Sequence, residues 1–458
     1  MQSSTSSINF KPRRTNHDSS ILTSIKNIKW TIILITLFIW VFVINFYERS
    51  TIKRTINKCQ WNNWQTWDND HDPFNIALLA DPQIMDDYSY PNRLSILNYF
   101  TKKIIDNYHK RNWEYLKNIL DPDSIIFLGD LFDGGRNWDD SLWINEYKRF
   151  HKIFNQKANR RQIMSLPGNH DIGFGETVNV TALDRFKAYF GETSSIHDLG
   201  NHTIVLLDTI SLSDFDTPST QEHPNSILET LANEPFTQPR ILLTHVPLYR
   251  DPTNQPCGPL RESTKKFPIM KGLQYQTVID HTISQSVLSK IQPDIVFSGD
   301  DHDYCHIKHQ YQSVTNSQVQ EADEITVKSC AMNMGISKPA IQLLSLNTNN
   351  KNGKTYQTEI CYLPSPYSSL ISYISLSIAS LLTYIWIFIF PIQSQNFLQK
   401  IKSYIFKSEL GLPIAFEKKE DFNLVGNDEN FKSLLIHSAL STFFILWIFR
   451  IYYNSLYI

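Results

Sequence analysis

The protein has 458 residues, of which 41% are hydrophobic, 13% aromatic and 19% charged, so it can bury a sizeable core and is not disordered throughout. Its 43 basic residues are nearly balanced by 45 acidic ones, which gives a formal net charge of −2 at pH 7. This balance lacks the basic excess of a nucleic-acid-binding protein, so it argues against nucleic acid as a partner.

The N-terminal part of the chain predicts a cytosolic tail followed by a membrane anchor. Residues 1–29 are polar at their start and predict the tail. Residues 30–47 contain no charged side chain, and as a helix these 18 residues would be about 27 Å long, enough to span a bilayer core. The alternative is a cleaved signal peptide. We favour an uncleaved anchor because the apolar run is too long and no small-residue cleavage site follows it.

The large segment 48–368 alternates between two kinds of pattern. Short apolar runs that end in polar residues predict buried strands, at residues 75–81, 124–130, 162–167, 203–208, 240–245 and 294–300. Helical spacing between them predicts helices, at residues 93–109, 141–154 and 276–291. Strands alone follow, at residues 324–331, 340–346 and 356–362. The segment therefore reads as a layered α/β domain with added antiparallel strands.

Five of the predicted strands end in side chains that can bind a metal ion. The five segments are Asp81-Pro-Gln83, Gly129-Asp130-Leu-Phe-Asp133-Gly134-Gly135, Gly168-Asn169-His170-Asp171, Thr244-His245 and Gly299-Asp300-Asp301-His302. Each has an ordinary structural explanation when taken alone, for instance Asp81 as a helix cap and His245 as a core histidine. Ligands of open α/β sheets bind beyond the carboxyl ends of the strands, so five such ends together predict a metal site.

Together and in this order, these segments resemble the calcineurin-like metallophosphoesterases, whose motifs run D-x-H, G-D-x-x-D-x-G, G-N-H-D, a single H, and G-H-x-H. The resemblance covers about residues 75–310. It implies an α/β fold of two packed mixed β-sheets flanked by helices, to which this chain adds three transmembrane helices. It also implies two divalent metal ions. One would be bound by Asp81, Gln83, Asp130 and His302, and the other by Asp130 as a bridging ligand with Asn169, His245 and Asp300.

The same resemblance assigns the catalytic role to His170, oriented by Asp171. Two metal ions about 3.5–4 Å apart lower the pKa of a bridging water and clamp the phosphoryl oxygens for in-line attack. His170 would then stabilise or protonate the leaving alkoxide. The implied activity is that of a metal-dependent phosphodiesterase.

Two residues depart from the general pattern of the family. Gln83 replaces the histidine of D-x-H, and Asp300 replaces the first histidine of G-H-x-H. Both can still coordinate a metal, but through oxygen, which favours manganese or magnesium over zinc or a redox-active iron centre. We therefore expect two Mn²⁺ ions. The alternative, a decayed site, is disfavoured because the other ligands are intact.

A narrower resemblance is to the fungal and animal membrane-bound phosphoesterases that remodel glycosylphosphatidylinositol (GPI) anchors. It is carried by residues 80–86, 129–136, 167–173, 245–250 and 298–305, and it includes both replacements. It implies removal of ethanolamine phosphate from a mannose of the anchor glycan, with GPI-anchored proteins or GPI lipid as substrate and cargo receptors as possible partners. Which mannose is left open. The alternatives are another lumenal phosphoester, such as a lipid head group or nucleotide, and a non-catalytic trafficking factor.

Three arginines are candidates for substrate binding, because a guanidinium presents forked donors that suit phosphate. They are Arg136, Arg250 and Arg261, and each has a structural alternative. Arg261 belongs to a segment rich in Pro and Gly, residues 251–271, which we consider a candidate gate of the site.

The C-terminal part of the chain predicts two more transmembrane helices, residues 369–392 and 434–453. Basic residues are concentrated before the first predicted span and in residues 393–433, which marks both as cytosolic. The domain 48–368 and the end 454–458 would then be lumenal, in the endoplasmic reticulum membrane or alternatively the Golgi.

Two further features agree with a lumenal domain. Asn179 and Asn201 each begin an acceptor sequence for N-glycosylation. All five cysteines also lie in residues 48–368, where an oxidising lumen would let some of them pair. An odd number leaves one unpaired, and the sequence does not determine the pairing.

Overall fold

A computed structural model describes residues 29–67, 72–174, 177–234, 237–272, 275–314, 318–349, 353–397, 400 and 427–455. Almost all of the predicted tail 1–29 and most of the predicted cytosolic loop 393–433 lie outside these residues, as do residues 456–458. The described chain forms two compact units, one made of residues 47–369 and the other of the segments before and after them.

The described helices and strands are as follows. The α-helices are α1 (Trp30–Asn45), α2 (Thr51–Lys58), α3 (Ser95–Tyr115), α4 (Asp140–Ile153), α5 (Asn169–Ile172), α6 (Val180–Phe190), α7 (Thr209–Leu212), α8 (Pro218–Asn233), α9 (His281–Ile291), α10 (Pro366–Ile389) and α11 (Asn427–Asn454). The strands are β1 (Phe74–Leu79), β2 (Ser124–Phe127), β3 (Arg161–Ile163), β4 (Ser195–Leu199), β5 (His202–Leu206), β6 (Arg240–Leu243), β7 (Lys271–Gly272), β8 (Tyr275–Gln276), β9 (Ile295–Ser298), β10 (Cys305–Gln312), β11 (Val319–Thr326), β12 (Ala340–Leu346) and β13 (Tyr356–Tyr362).

Three helices are long and apolar enough to cross a membrane, in agreement with the three predicted spans. The first runs from Trp30 to Lys58 with a π-helical turn between α1 and α2, and the others are α10 and α11. The Tyr384 hydroxyl of α10 lies 3.1 Å from the Thr36 hydroxyl of α1 and 2.6 Å from the Ser441 hydroxyl of α11. Hydrogen bonds therefore join the three helices, where side-chain polar groups have little water to bond.

The unit 47–369 contains two mixed β-sheets, as predicted. One has the order β13-β12-β1-β2-β3, with β1, β2 and β3 parallel, and the other has the order β10-β11-β9-β6-β5-β4, with β5, β6, β9 and β11 parallel. Antiparallel strands complete both sheets. Because these strands are parallel within each sheet, their carboxyl ends lie at one edge of that sheet.

Side chains alternate across each strand and divide the core into layers. In β1, Ile76 and Leu78 lie in the layer between the two sheets, together with Leu243 of β6 and Phe297 of β9. Ala77 and Leu79 face the other way and belong to a cluster with helical residues of α3 and α4. The outer face of the second sheet is covered in the same way by α8 and α9. The result is a helix–sheet–sheet–helix arrangement, which confirms the predicted fold class.

Several elements differ from the sequence predictions. Helix α9 begins at His281 instead of residue 276, because Tyr275 and Gln276 form β8. Strands β4 and β10 and helices α6 and α8 were not predicted. Alternate residues of β10 are buried, but two of the four buried positions are Cys305 and His309. The apolar–polar alternation that would predict a strand is therefore weak in the sequence.

Two disulfides form in this unit, between Cys59 and Cys361 and between Cys257 and Cys305. Cys330 is the unpaired cysteine and is buried. The first disulfide joins the end of α2 to β13, the strand that precedes α10. The segments that follow the first span and precede the second are therefore covalently linked.

Candidate metal centre

The segments after β1, β2, β3, β6 and β9 meet where the carboxyl edges of the two sheets adjoin. The backbone N–H of Asp300 donates to the Asp81 carboxylate at 3.0 Å, which links a loop of one sheet to a loop of the other. Asp81, Asp130 and His245 are buried, and each places a possible ligand atom within 4.8 Å of the other two. The order of the strands thus brings together residues that lie far apart in the sequence.

His245 lies at the centre of one predicted ligand set. Its Nε2 is 3.4 Å from an oxygen of Asp130, 3.4 Å from the side-chain oxygen of Asn169 and 3.7 Å from an oxygen of Asp300. Its Nδ1 lies 2.7 Å from the Leu128 carbonyl, which can only accept a hydrogen bond. Nδ1 therefore carries the proton, and the lone pair of Nε2 faces the other three residues, as a metal-binding histidine requires.

The second predicted set has two oxygens that need a positive partner. Gln83 donates its amide N–H to Asp133 at 2.9 Å, which leaves the amide oxygen Oε1 on the other side. Oε1 of Gln83 and Oδ2 of Asp81 are both buried and have no hydrogen-bond donor in the described part of the chain. A buried acceptor without a donor is costly, and a divalent cation would satisfy both oxygens.

The carboxylates of the centre also repel one another. Burial and the nearby charge of Asp130 raise the pKa of Asp81 and of Asp300 well above the usual range. Burial would raise the pKa of Asp130 too, but attraction to His245 and His170 lowers it overall. Three buried carboxylates become fully ionised only when positive charge is added, and divalent metal ions would supply that charge. The oxygen and nitrogen donors of the centre are also ligands that such ions bind.

Positive φ angles are concentrated at the predicted ligand residues. Five of the seven predicted ligands have positive φ angles, namely Asp81 at 48°, Gln83 at 36°, Asp130 at 50°, Asp300 at 64° and His302 at 65°. Only four other described non-glycine residues do so. Left-handed backbone is costly for such residues and is retained where the surrounding structure enforces it, often at functional sites.

Glycine is required at two positions because the centre is crowded. A Cβ atom at Gly168 would lie 2.0 Å from a carboxylate oxygen of Asp130, and one at Gly129 would lie 2.5 Å from Nδ1 of His245. Neither distance is compatible with a side chain. The glycines of these two motifs thus allow the ligand residues to approach one another.

The structure corrects the predicted partner of His170. Both oxygens of Asp171 accept bonds from backbone N–H groups, of Leu131, Phe132 and Gly168, so Asp171 fastens the loops and does not orient the ring. Nδ1 of His170 instead lies 2.6 Å from the backbone carbonyl of Asp133 and 3.5 Å from its carboxylate. Asp133 therefore orients both His170 and Gln83. Asp133 is the second aspartate of G-D-x-x-D-x-G, and that motif position was the available sequence signal for a role that was not predicted.

The structure places the three candidate substrate arginines differently. Arg136 is half-buried and donates to the backbone carbonyl of Asn169 at 3.0 Å, so it lies beside the centre. Arg250 has a fully buried side chain that pairs with Glu324 at 2.7 Å. That environment leaves no surface for a substrate, so the structure assigns Arg250 a structural role. Arg261 pairs with Asp301, the neighbour of Asp300, and is also nearly buried.

The segment 251–271, a candidate gate, is fastened to the loop that contains His302. The Cys257–Cys305 disulfide holds its start, and the backbone N–H groups of Glu262 and Ser263 donate to Asp303. Buried Lys328 bridges Glu262 and Asp303 at 2.6 and 2.9 Å. These contacts argue against free opening of the segment and give it a role in supporting the metal-binding loop.

The two predicted glycosylation sites are exposed. Asn179 caps α6, and its amide nitrogen donates to the carbonyl of Arg136 at 2.9 Å. Asn201 lies in the turn between β4 and β5 with a φ of 60°. The nitrogen that would carry a glycan at Asn179 is thus already bonded to the Arg136 carbonyl, whereas among the described residues that of Asn201 has a 3.5 Å contact with Thr348.

Comparison with known proteins supplies the family. Residues 74–304 match the family described as calcineurin-like phosphoesterase. The chain is 49% identical over 450 residues to Cell division control protein 1 of Saccharomyces cerevisiae, a match that covers 93% of this chain and 91% of that protein. It is 26% identical over 373 residues to Metallophosphoesterase 1 of Danio rerio, covering 75% and 88%. The Xenopus laevis protein of that name is 28% identical over 235 residues, covering 44% and 57%.

Proposed function

The chain belongs to the calcineurin-like phosphoesterases, and we propose that it is a dinuclear-metal phosphodiesterase that removes ethanolamine phosphate from a mannose of GPI anchors. Phosphoester hydrolysis with divalent metals is the activity of the family. The ethanolamine phosphate bond, the GPI substrate, the metal and the compartment are the parts that we propose.

The convergence of the predicted ligands is the observation that carries this proposal. Asp81, Asp130 and His245 lie within ligand distance of one another, and the orphan oxygens of Asp81 and Gln83 lie at the same centre. A trafficking factor that only binds cargo would not need such a set. Bound divalent ions would supply Lewis-acid activation of water and neutralise phosphoryl oxygens.

The proposed general acid is His170. Its side chain is 27% exposed, more than the buried ligands around it, so a substrate can reach the ring. Its Nδ1 faces the Asp133 carbonyl and keeps the proton that bonds there, so Nε2 of the doubly protonated ring is the nitrogen that would give a proton to a leaving alkoxide. An alcohol is a poor leaving group at neutral pH, so a phosphodiester of a sugar hydroxyl gains from this proton.

Two features support a GPI substrate and manganese. The three membrane-crossing helices attach the domain to a bilayer, and a GPI substrate is itself attached to the lumenal leaflet. Gln83 and Asp300 occur in the resemblance to GPI-remodelling phosphoesterases, and both supply oxygen donors, which suit Mn²⁺ better than zinc. The proposed location is the endoplasmic reticulum membrane with a lumenal catalytic domain.

The deciding experiment is mass spectrometry of GPI glycans from cells whose only copy of the protein is wild type, Asp130→Asn or Asp216→Asn. Asp130 is the predicted bridging ligand, whereas Asp216 is exposed and serves as the matched control. We expect an extra ethanolamine phosphate on one defined mannose in Asp130→Asn alone. Identical glycans in all three, with the variant folded and abundant, would overturn the GPI substrate.

The enzyme and its metal are tested separately on purified full-length protein. We expect Asp130→Asn to abolish hydrolysis of a soluble aryl phosphodiester, and metal analysis of the wild type to find manganese. An active Asp130→Asn protein would overturn the catalytic assignment itself. Zinc or iron in place of manganese, with full activity, would overturn only the proposed metal.

A further inference from the structure

A dense group of exposed apolar side chains lies just after the metal-binding residues Asp81 and Gln83. Its six members, which we call the α3 patch, are Tyr88, Leu94, Ile96, Leu97, Tyr99 and Phe100, with exposed fractions of 47–76%. Residues 88–100 thus contain six large exposed apolar side chains, and no other segment of that length in the described part of residues 47–365 has more than three. A contiguous patch of this kind marks an interaction surface, whereas scattered apolar residues do not.

The first turns of α3 give the patch a defined face. At 100° per residue, Ile96, Leu97, Tyr99 and Phe100 cover an arc of about 160°. Asn98 lies on the opposite side, where it is buried and donates to the Tyr90 carbonyl at 3.0 Å. Lys103 is exposed on the same side as the apolar residues. An apolar helix face accompanied by a basic residue is typical of a helix lying in a lipid interface.

The second half of α3 contacts the segments that lead directly into the membrane. Glu48, three residues after the end of α1, accepts bonds from Asn107 at 2.7 Å and Arg111 at 2.6 Å. The Tyr108 hydroxyl donates to the carbonyl of Pro364 at 2.8 Å, and Pro364 lies two residues before the start of α10. Both entry points to the membrane therefore contact one turn of this helix.

Distance along α3 then relates the patch to the bilayer. Phe100 and Leu97 lie 8 and 11 residues before Tyr108, which corresponds to about 12 and 17 Å at the helical rise. The patch is thus only a few helical turns from the points where the chain enters its membrane spans. A lipid surface is therefore an apolar partner that the patch would reach if α3 runs along the bilayer.

We propose that the α3 patch lies in the interface of the same bilayer that the three helices cross, with its apolar side chains among the lipid head groups and upper acyl chains. Tyr88 and Tyr99 can keep their hydroxyls at the head-group level while their rings are buried. Because Asp86 bonds the backbone of Tyr88 at 2.7 Å, the patch is joined to the loop that follows Gln83. The contact would hold the metal centre close to the leaflet for any lipid-linked phosphoester, so it does not depend on the GPI substrate.

Fluorescence quenching in phospholipid nanodiscs tests this contact on the full-length protein. Leu97→Cys and, as a second site, Leu94→Cys are labelled with a polarity-sensitive fluorophore, and the control is Phe215→Cys, which is 66% exposed in the wild type. Background labelling should be low, because four native cysteines form disulfides and Cys330 is buried. The nanodiscs contain phosphatidylcholine with or without a lipid that carries a shallow nitroxide.

We expect the nitroxide lipid to remove about half of the fluorescence at positions 97 and 94 and to leave position 215 unchanged, because only an interfacial helix lies within reach of the quencher. Equal quenching at all three positions would overturn the proposal. So would a patch that is shielded from aqueous iodide but is not quenched by the lipid, since a protein partner or a second copy would then cover it.

Discussion

The side-chain amide of Gln83 donates a 2.9 Å hydrogen bond to the carboxylate of Asp133. This bond decides which end of the amide faces the metal centre, because a freed Gln83 can rotate and present N–H donors instead of Oε1. Asp133 is therefore part of the site although it is not among the predicted ligands.

We predict that Asp133→Ala lowers metal affinity about 10- to 100-fold, the usual effect of losing a residue that orients a ligand. Calorimetric titration of metal into the stripped full-length protein measures it, with Asp216→Ala as the exposed control. The His170 contact is to a backbone carbonyl and should survive. Unchanged affinity would show that Gln83 needs no such support.

A methyl group at Gly168 should damage the centre directly. Its Cβ would lie 2.0 Å from the Asp130 carboxylate, so Gly168→Ala must displace the bridging ligand. We expect loss of metal binding and of activity. Gly258→Ala is the control, because Gly258 has a φ of 83° but no atom within 4 Å of the added Cβ, and it should cost about 1 kcal/mol of stability with metal binding intact. Metal binding by Gly168→Ala at wild-type affinity would contradict this prediction.

Stability should depend on pH through His109. Burial, and to a smaller extent the charge of Arg149, lowers the pKa of His109 to about 3. Between about pH 6.5 and pH 3, His109 is protonated in the unfolded chain but stays neutral in the folded chain. The free energy of unfolding therefore decreases as the pH falls.

From pH 6.5 to pH 5 the cost is about 1.6 kcal/mol, because the slope rises from half of 1.36 kcal/mol per pH unit at pH 6.5 to nearly all of it at pH 5. We expect His109→Phe to lose less unfolding free energy than the wild type over this interval. Denaturant unfolding at both pH values measures the difference. The same loss in both proteins would show that His109 does not titrate as described.

Replacing Arg250 distinguishes a structural role of this residue, which affects stability, from a substrate-binding role, which affects KM. Arg250→Met would leave the Glu324 carboxylate buried without its guanidinium partner, which costs about 3–5 kcal/mol. We expect a large fall in the unfolding temperature and, in the protein that remains folded, an unchanged KM. The double variant Arg250→Met with Glu324→Leu should recover part of the stability, because no buried carboxylate is left without its guanidinium partner, although His309 and Ser298 lose the acceptor that Glu324 gives them. A raised KM with normal stability would restore the substrate role.

The sequence predicted the parts of the fold that rest on local pattern. Strands such as β1 and β9 are short apolar runs buried on both faces, and each is followed by a polar ligand residue, so both the strand and its functional end were visible. The edge strand β4 was not visible, because only one of its five residues is buried and its pairing with β5 is set by the turn between them.

Roles that depend on contacts between distant residues could not be predicted. Asp171 follows His170 in the chain, yet its carboxylate points to the backbone of the β2 loop. Arg250 lies in a motif beside His245, but its partner Glu324 is 74 residues away on β11. The pairing of Cys59 with Cys361 spans 302 residues and depends on the packing of α2 against β13.

The left-handed backbone at Asp81, Gln83, Asp130, Asp300 and His302 has a consequence for how such a centre changes during evolution. Because the loops and sheets impose this conformation, the side chain at each position can be exchanged while the backbone that aims it stays in place. Histidine codons become glutamine or aspartate codons through single-base changes. A lineage could therefore pass from imidazole to oxygen donors at positions 83 and 300 one mutation at a time, and alter its metal preference without passing through an unfolded ancestor.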